Sequence, residues 1–174
     1  MSPFLNRYII YIISPKIQKV FMINIVYESM LKFYCKKLIG KPYIWGGKGG
    51  NGFDCSGFVI EVLQATGFLP NGDWTSQGLL ERFSKLGWEK VRKDEIKGAE
   101  VCFWGKEKAT HCSIALDDRF MIEAGGGNSK CTSASNTTGM VRIRPLGWRT
   151  DFLAAYRLPI VPPFAPHPPS KPSV

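Results

Sequence analysis

The spacing of apolar residues changes part-way along this 174-residue chain, and that change limits the fold more than any other feature. Up to about residue 90 the spacing is helical, and it predicts helices over 27–38, 55–66 and 76–86. From Ala99 onward the period shortens and predicts strands over 100–104, 111–116, 120–124, 141–145 and 153–158. Helices followed by strands favour a segregated α+β fold over an alternating βαβ fold.

The N-terminal 26 residues are expected to be an extension that precedes the main domain, 27–158. Their longest apolar run is six residues, Tyr8 to Ile13, whereas a membrane span needs about 20. No signal peptide is evident. We expect a poorly ordered segment, or sequence upstream of a true start at Met22. Contact with a membrane surface through Lys16, Lys19 and the Ile/Tyr cluster is the alternative.

The C-terminal stretch, 159–174, holds seven of the twelve prolines. Proline cannot continue a helix or a central strand, so this stretch predicts an extended tail of polyproline type. His167 lies in the tail, which makes it a poor catalytic candidate.

The net charge of +9 is unevenly distributed. Residues 1–41 carry +6, residues 42–158 carry +2, and Lys171 adds +1. A basic nucleic-acid-binding surface would need clustered charge on the folded domain. The nearly neutral domain therefore argues against nucleic acid as a partner.

The cysteines and histidines are arranged unlike a disulfide framework or a zinc site. There are five cysteines, an odd number, with no CxxC pair, and only two histidines. Structural zinc needs about four ligands at short paired spacings. The segment Gly46-Gly-Lys-Gly lacks the Ser or Thr that follows lysine in a phosphate-binding loop. We expect neither a metal nor a cofactor.

Cys55 is the candidate nucleophile, because it follows the helix N-cap Asp54 and so falls in the first turn of a predicted helix. Free N–H groups and the positive end of the helix dipole stabilise a thiolate at that position. A buried structural cysteine is the alternative interpretation. Cys102 and Cys112 are expected to be packed in the core, as are Trp45 and Trp104.

A thiolate nucleophile needs a base, and His111 is the one histidine outside the tail. It begins one predicted strand, and Glu123 lies on the next. An odd-length connection places the two side chains on one face of the sheet, whereas a two-residue loop places them on opposite faces. On one face, the carboxylate can orient the imidazole towards Cys55. The loop Gly125 to Asn128 would lie nearby, as a substrate wall or as a simple turn.

Five segments occur in order and at fitting separations: Gly40-Lys-Pro-Tyr-Ile-Trp-Gly-Gly, Asn51-Gly-Phe-Asp-Cys-Ser-Gly-Phe-Val, Lys97-Gly-Ala-Glu-Val-Cys-Phe-Trp, His111-Cys-Ser-Ile-Ala-Leu and Met121-Ile-Glu-Ala. Together they resemble the NlpC/P60 family of cell-wall cysteine peptidases over about residues 28–158. The resemblance implies a papain-like core in which N-terminal helices pack on an antiparallel sheet. It also implies hydrolysis of peptidoglycan stem peptides, often at the γ-D-glutamyl–diamino-acid bond.

The resemblance assigns a role to six residues. It implies that Cys55 is the nucleophile, His111 the base and Glu123 the third, orienting residue. Tyr43 would line the site near the thiol, and Asp54 and Ser56 would hold the substrate peptide.

Two departures from the family pattern are visible. The third position is more often histidine, and here Glu123 occupies it; a carboxylate can also orient and stabilise an imidazolium, so we expect activity to survive. The usual secretion signal and wall-binding repeats are not evident, which resembles phage or prophage members with tail or lysis partners. The alternatives are an N-acetylmuramoyl-L-alanine amidase and a catalytically silent wall-binding or phage-structural module.

Overall fold

The structure is a computed structural model, and it describes residues 14–164. The helices are α1 (Pro15–Lys37), α2 (Cys55–Ala65) and α3 (Ser76–Lys85). The strands are β1 (Lys48–Gly49), β2 (Gly52–Phe53), β3 (Lys90–Val91), β4 (Val101–Trp104), β5 (His111–Ala115), β6 (Phe120–Gly125), β7 (Met140–Pro145) and β8 (Phe152–Tyr156). Two short 3₁₀ turns cover Lys93–Glu95 and Ala134–Asn136. The α+β prediction is confirmed.

Helix α1 begins twelve residues before the predicted start at residue 27. Ser14 precedes it and Pro15 opens it; proline suits a first helical position because its φ is preset and its missing N–H would have had no partner. The helix therefore crosses the boundary drawn at residue 26. Packing changes near that point, since Phe21 is 60% exposed while Leu31 and Cys35 are fully buried. Residues 1–13 lie outside the described part of the chain.

The six-stranded sheet has the order β3-β8-β4-β5-β6-β7, and every neighbouring pair is antiparallel. Strands β4 to β7 follow chain order because short connections favour antiparallel neighbours. Strand β8 returns to pair with β4, and the two-residue β3, which was not predicted, forms the edge. The separate hairpin of β1 and β2 was also not predicted from its glycine-rich sequence.

The two faces of the sheet are packed differently. One face packs against the helices, and its core includes Phe58 and Leu63 of α2, Phe83 of α3, and Phe103 and Ile114 of the sheet. The opposite face carries a smaller apolar cluster made by Val91, Ile96, Cys102, Trp104, Ala115, Met121, Leu146 and Ala155. The predicted burial of Cys102, Cys112 and Trp104 is confirmed, because all three are fully buried.

The start of α2 is tied to the glycine-rich segment that precedes it. Asp54 is the N-cap, and its side chain accepts a hydrogen bond from the Gly57 N–H at 2.7 Å. The Asp54 N–H in turn donates to the Gly47 carbonyl at 3.0 Å. A β-carbon on Gly57 would come within 1.9 Å of that carbonyl oxygen, so only glycine allows this approach.

Residues 159–164 of the predicted tail contain neither helix nor strand, and the Phe164 N–H donates to the Gly67 carbonyl at 2.9 Å. The rest of the tail, including His167, lies outside the described range. Within residues 14–164, no helix combines the length and apolarity that crossing a membrane requires.

Candidate active site

Cys55 is the first residue of α2, as predicted from the N-cap at Asp54. Its side chain is partly exposed, whereas the other four cysteines are buried. The first N–H groups of a helix have no partner within the helix, and in α2 they lie at the end that carries the thiol. Cys55 is therefore the one cysteine that combines access to solvent with a helix N-terminus.

His111 and Glu123 form a direct contact. His111 Nε2 lies 2.7 Å from Glu123 Oε2, and both residues are buried. The second ring nitrogen remains for Cys55, whose thiol lies close enough for the two groups to shift each other's pKa. The structure thus brings a thiol, an imidazole and a carboxylate into one chain of contacts.

The register of β5 and β6 explains why His111 and Glu123 share a face. Ala115 pairs with Met121, so an odd number of residues, five, connects the paired positions. Of the two loop alternatives, the odd-length connection is the one observed. The short separation of the side chains follows from this parity.

The pKa values of the three groups shift in the directions that favour an ion pair. The neighbouring Cys112 thiol and, against the effect of burial, the His111 imidazole hold the pKa of Cys55 well below its usual range. Burial alone would lower the pKa of His111, but its contacts with Cys55 and Glu123 outweigh that effect and raise it to about 9. Burial likewise opposes ionisation of Glu123, while His111 and Arg144 lower its pKa. Thiolate and imidazolium stabilise one another at neutral pH.

Cys112 takes part in the site, which sequence reasoning missed. It lies on the helix-packed face, as its alternation with His111 predicts, but its Sγ is 3.3 Å from the Cys55 carbonyl oxygen. The Ser76 hydroxyl lies 3.5 Å from the sulfurs of both Cys55 and Cys112. Burial raises the pKa of Cys112 well above its usual value, so this thiol stays protonated and can donate. The contact between α2 and β5 is long-range, and no local pattern signals it.

The three predicted substrate-binding residues border the same site. The Asp54 carboxylate accepts hydrogen bonds from Ser56 Oγ at 3.0 Å, from the Gly57 N–H, and from the Gly46 N–H at 2.9 Å. Most of the hydrogen-bonding capacity of the Asp54 carboxylate is therefore used by neighbouring groups of the protein. Tyr43 is 4% exposed, and burial raises the pKa of its hydroxyl, so it stays neutral.

A cavity of about 660 Å³ contains all six predicted residues. Its wall also includes the Gly125–Asn128 loop and four residues that the sequence did not single out as site residues: Trp45, Arg144, Trp148 and Arg149. The expectation that Trp45 is a core residue is wrong, because its side chain is 57% exposed at the cavity. Trp45 lies within a turn that the Gly47 N–H closes by donating to the Ile44 carbonyl at 2.9 Å. Among residues 14–164, no group of three or more His, Cys, Asp and Glu side chains is placed to hold a metal ion.

Residues 40–145, more than half of the chain, match the NlpC/P60 family. The chain belongs to the NlpC/P60 family. The predicted resemblance is thereby confirmed over the segment that carries Cys55, His111 and Glu123. The phage assignment stays a prediction.

Two relatives from Bacillus subtilis have names that describe an activity. The chain is 36% identical over 70 residues to a γ-D-glutamyl-L-lysine dipeptidyl-peptidase, covering 40% of this chain and 21% of that protein. It is 31% identical over 133 residues to the probable peptidoglycan endopeptidase LytE, covering 74% of this chain and 34% of LytE. The chain therefore spans about a fifth and about a third of the length of these two relatives.

Solved structures share the fold. The NlpC/P60 domain of the peptidoglycan hydrolase SagA is 25% identical, with a TM-score of 0.57 over 75% of this chain and 98% of that domain. RipD of Mycobacterium tuberculosis, described as a non-catalytic NlpC/P60 protein adapted to peptidoglycan binding, is 17% identical to this chain. Its TM-score is 0.58, over 75% of this chain and 96% of RipD. The second likeness concerns the fold alone.

Proposed function

We propose that this protein is a cysteine peptidase that hydrolyses an amide bond in peptidoglycan stem peptides. The observation that carries the proposal is the chain of contacts from the Cys55 thiol through His111 to Glu123, in which His111 Nε2 and Glu123 Oε2 are 2.7 Å apart. Family membership and the names of the relatives support the peptidoglycan substrate. The bond we assign is the one between the γ-carbonyl of D-glutamate and the following diamino acid.

The first half of the reaction forms an acyl-enzyme. The Cys55 thiolate attacks the scissile carbonyl carbon, and negative charge develops on the carbonyl oxygen. The first N–H groups of α2 are the donors placed to stabilise that oxyanion. His111, protonated in the ion pair, gives its proton to the leaving nitrogen as the carbon–nitrogen bond breaks.

The second half releases the product acid. His111, now neutral, takes a proton from water, and the resulting hydroxide attacks the thioester. The carbon–sulfur bond breaks and Cys55 leaves as a thiolate. Throughout both halves Glu123 holds Nε2 of the ring, which keeps the other nitrogen facing Cys55 and stabilises the imidazolium.

The substrate peptide is assigned to the side of the cavity that Tyr43, Asp54 and Ser56 border. The Ser56 hydroxyl donates to Asp54, so its oxygen keeps lone pairs for a substrate N–H. Asp54 accepts three protein hydrogen bonds and has room for about one more. The neutral Tyr43 hydroxyl is a further donor or acceptor. We place the site of action at the bacterial cell wall, with delivery through phage lysis or tail partners as the expected route.

The test is Cys55→Ala, assayed with purified sacculi and mass spectrometry of the released fragments. The wild-type protein should release stem-peptide fragments that begin at the diamino acid, and Cys55→Ala should release none while its circular dichroism is unchanged. Undiminished release by the variant would refute the proposal.

The same assay separates the alternatives. An N-acetylmuramoyl-L-alanine amidase would release whole stem peptides that begin at L-alanine. A silent wall-binding or phage-structural module would release nothing, and its Cys55 would be alkylated at neutral pH no faster than the buried thiols.

A further inference from the structure

Arg144 lies beside the proposed catalytic residues without being one of them. Its Nε is 3.5 Å from Glu123 Oε1, on the opposite carboxylate oxygen from the one that contacts His111. Its guanidinium stacks on the Trp148 ring, 4.0 Å from the ring centroid. Two contacts thus fix the orientation of a long side chain that would otherwise be mobile.

The hydrogen-bonding capacity of Arg144 is largely unused. Among the described residues its buried Nε has no hydrogen-bond partner, and none of the hydrogen bonds within residues 14–164 involves its two terminal nitrogens. Glu123 neutralises the guanidinium only in part, because the same carboxylate also balances His111. Arg144 lines the 660 Å³ cavity with donors to spare.

The neighbouring Arg149 serves as a comparison. It lines the same cavity, but its Nε and Nη2 donate to the two oxygens of Asp151 at 3.1 and 2.9 Å. That bidentate pair neutralises Arg149 within the protein. Arg144 is therefore the guanidinium of this wall that remains available to an anion.

The order of the contacts places Arg144 on the leaving-group side. Cys55 contacts His111, His111 contacts Glu123, and Glu123 contacts Arg144. Since His111 must give its proton to the leaving nitrogen, the leaving group lies over the histidine. Arg144 lines the same cavity and lies next to Glu123, on the far side of His111 in this order, so we assign it to the residue that carries that nitrogen.

We propose that Arg144, held by Trp148 and Glu123, binds a carboxylate on the residue that follows the scissile bond. The inference rests on the proposed function. The diamino acid then has to carry a side-chain carboxylate, as diaminopimelate does. Lysine lacks that carboxylate and presents only an ammonium group, which a guanidinium repels. The substrate class is therefore stem peptides of the diaminopimelate type.

Two synthetic peptides, each with the α-carboxyl group of its last residue amidated, test this directly: L-Ala-γ-D-Glu-meso-diaminopimelate and L-Ala-γ-D-Glu-L-lysine. Only the first then has a carboxylate on the residue after the scissile bond. The wild-type protein should cleave the first with kcat/KM at least about tenfold higher, which is the order expected for a charge-assisted hydrogen bond. Arg144→Gln should remove most of that ratio, mainly through a higher KM for the diaminopimelate peptide. Arg144→Lys should keep part of it, since the charge remains and the planar fork is lost.

The ratio separates binding from positioning. Because Arg144 also contacts Glu123, Arg144→Gln is expected to lower kcat for both peptides, and that common loss cancels in the ratio. Arg92→Gln removes an exposed guanidinium that is paired with Asp94 and does not line the cavity, and it is the control for charge alone. It should leave both the ratio and the activity unchanged.

A binding measurement covers the case in which Arg144→Gln is inactive. In the Cys55→Ala background, calorimetry gives the Kd of each intact peptide with Arg144 and with Gln at that position. The diaminopimelate peptide should lose about tenfold in affinity and the lysine peptide should not.

An unchanged ratio in Arg144→Gln would overturn the inference, as would equal cleavage of both peptides by the wild-type protein. Cleavage of neither peptide by the wild-type protein would instead refute the proposed function.

Discussion

The two faces of the six-stranded sheet each have an apolar cluster, but they differ in chemistry beside the cavity. The face under the helices is apolar, and at the end of β5 it presents the fully buried Cys112. The other face carries His111, Glu123 and Arg144. Because side chains alternate along a strand, His111 and Cys112 belong to different faces while being adjacent in sequence.

The comparison shows why the site lies where the faces meet. Cys55 is on a helix that packs against the apolar face, and it lies at the end of β5. There its carbonyl accepts a hydrogen bond from Cys112, on the apolar face, and its thiol lies beside His111, on the other face. The apolar face supplies a protonated thiol in a dry environment. The other face supplies the base and the charged groups. Placing these charges on the apolar face would cost free energy, because a buried charge needs partners.

Removing the base is expected to have the largest effect. His111→Ala should lower kcat/KM about thousandfold, because both the thiolate's partner and the proton donor are lost. The measurement is the rate of fragment release, with circular dichroism to confirm the fold. Activity within a few fold of the wild type would show that the charged face does not drive the reaction.

The orienting carboxylate should matter less than the base. Glu123→Ala is expected to cost about a hundredfold, since His111 then loses its fixed tautomer. Glu123→Gln, which can still hold the ring, should recover much of that loss if orientation dominates over charge. Full activity of Glu123→Ala would remove Glu123 from the site.

The apolar face is tested by Cys112. Cys112→Ala removes a neighbouring thiol that lowers the pKa of Cys55 and that donates to the Cys55 carbonyl, so the pKa of Cys55 should rise and its alkylation at neutral pH should slow by about fivefold. Cys112→Ser retains a donor and is the matched control, expected to restore most of the rate. If alanine and serine behave alike, the role of Cys112 is packing.

The smallest expected effect is that of pH on the intact ion pair. Because the pKa of His111 is about 9, kcat/KM should fall by about half near that pH as the imidazolium loses its proton. Stability should also fall as the pH rises. Because the pKa of His111 in the folded protein exceeds the ordinary 6.5, the contribution of His111 to the free energy of unfolding is complete below about pH 6.5. It is lost as the pH rises through 9. A pH–rate profile and chemical denaturation at pH 6, 8 and 10 measure both.

Local sequence signals were enough to predict most of the helices and strands. The N-cap at Asp54 predicted the start of α2 to the residue, and period-two spacing located the five longer strands within one or two residues of their observed ends. The start of α1 was missed, because its first half is exposed and has no apolar stripe to mark it. The two-residue strands were missed because they are shorter than any periodicity.

The candidate site was predictable only where one residue type was scarce. A single histidine outside the tail and a single cysteine behind an N-cap left little choice. Cys112, Arg144 and Trp148 were not distinguishable from ordinary core or surface residues, since their roles depend on contacts between distant elements. Loop parity decided Glu123, and the sequence allowed both parities.

The contact between Gly57 and Gly47 has a consequence for how this protein tolerates substitution. The thiol and the wall that carries Tyr43 and Trp45 are clamped together at a point where there is no space for a single methyl group. A chain with Gly57→Ala would keep its nucleophile and its base but displace that wall. Such a variant should still react with small alkylating agents while losing its peptide substrate, so damage at this position would leave a reactive thiol that no longer recognises the cell wall.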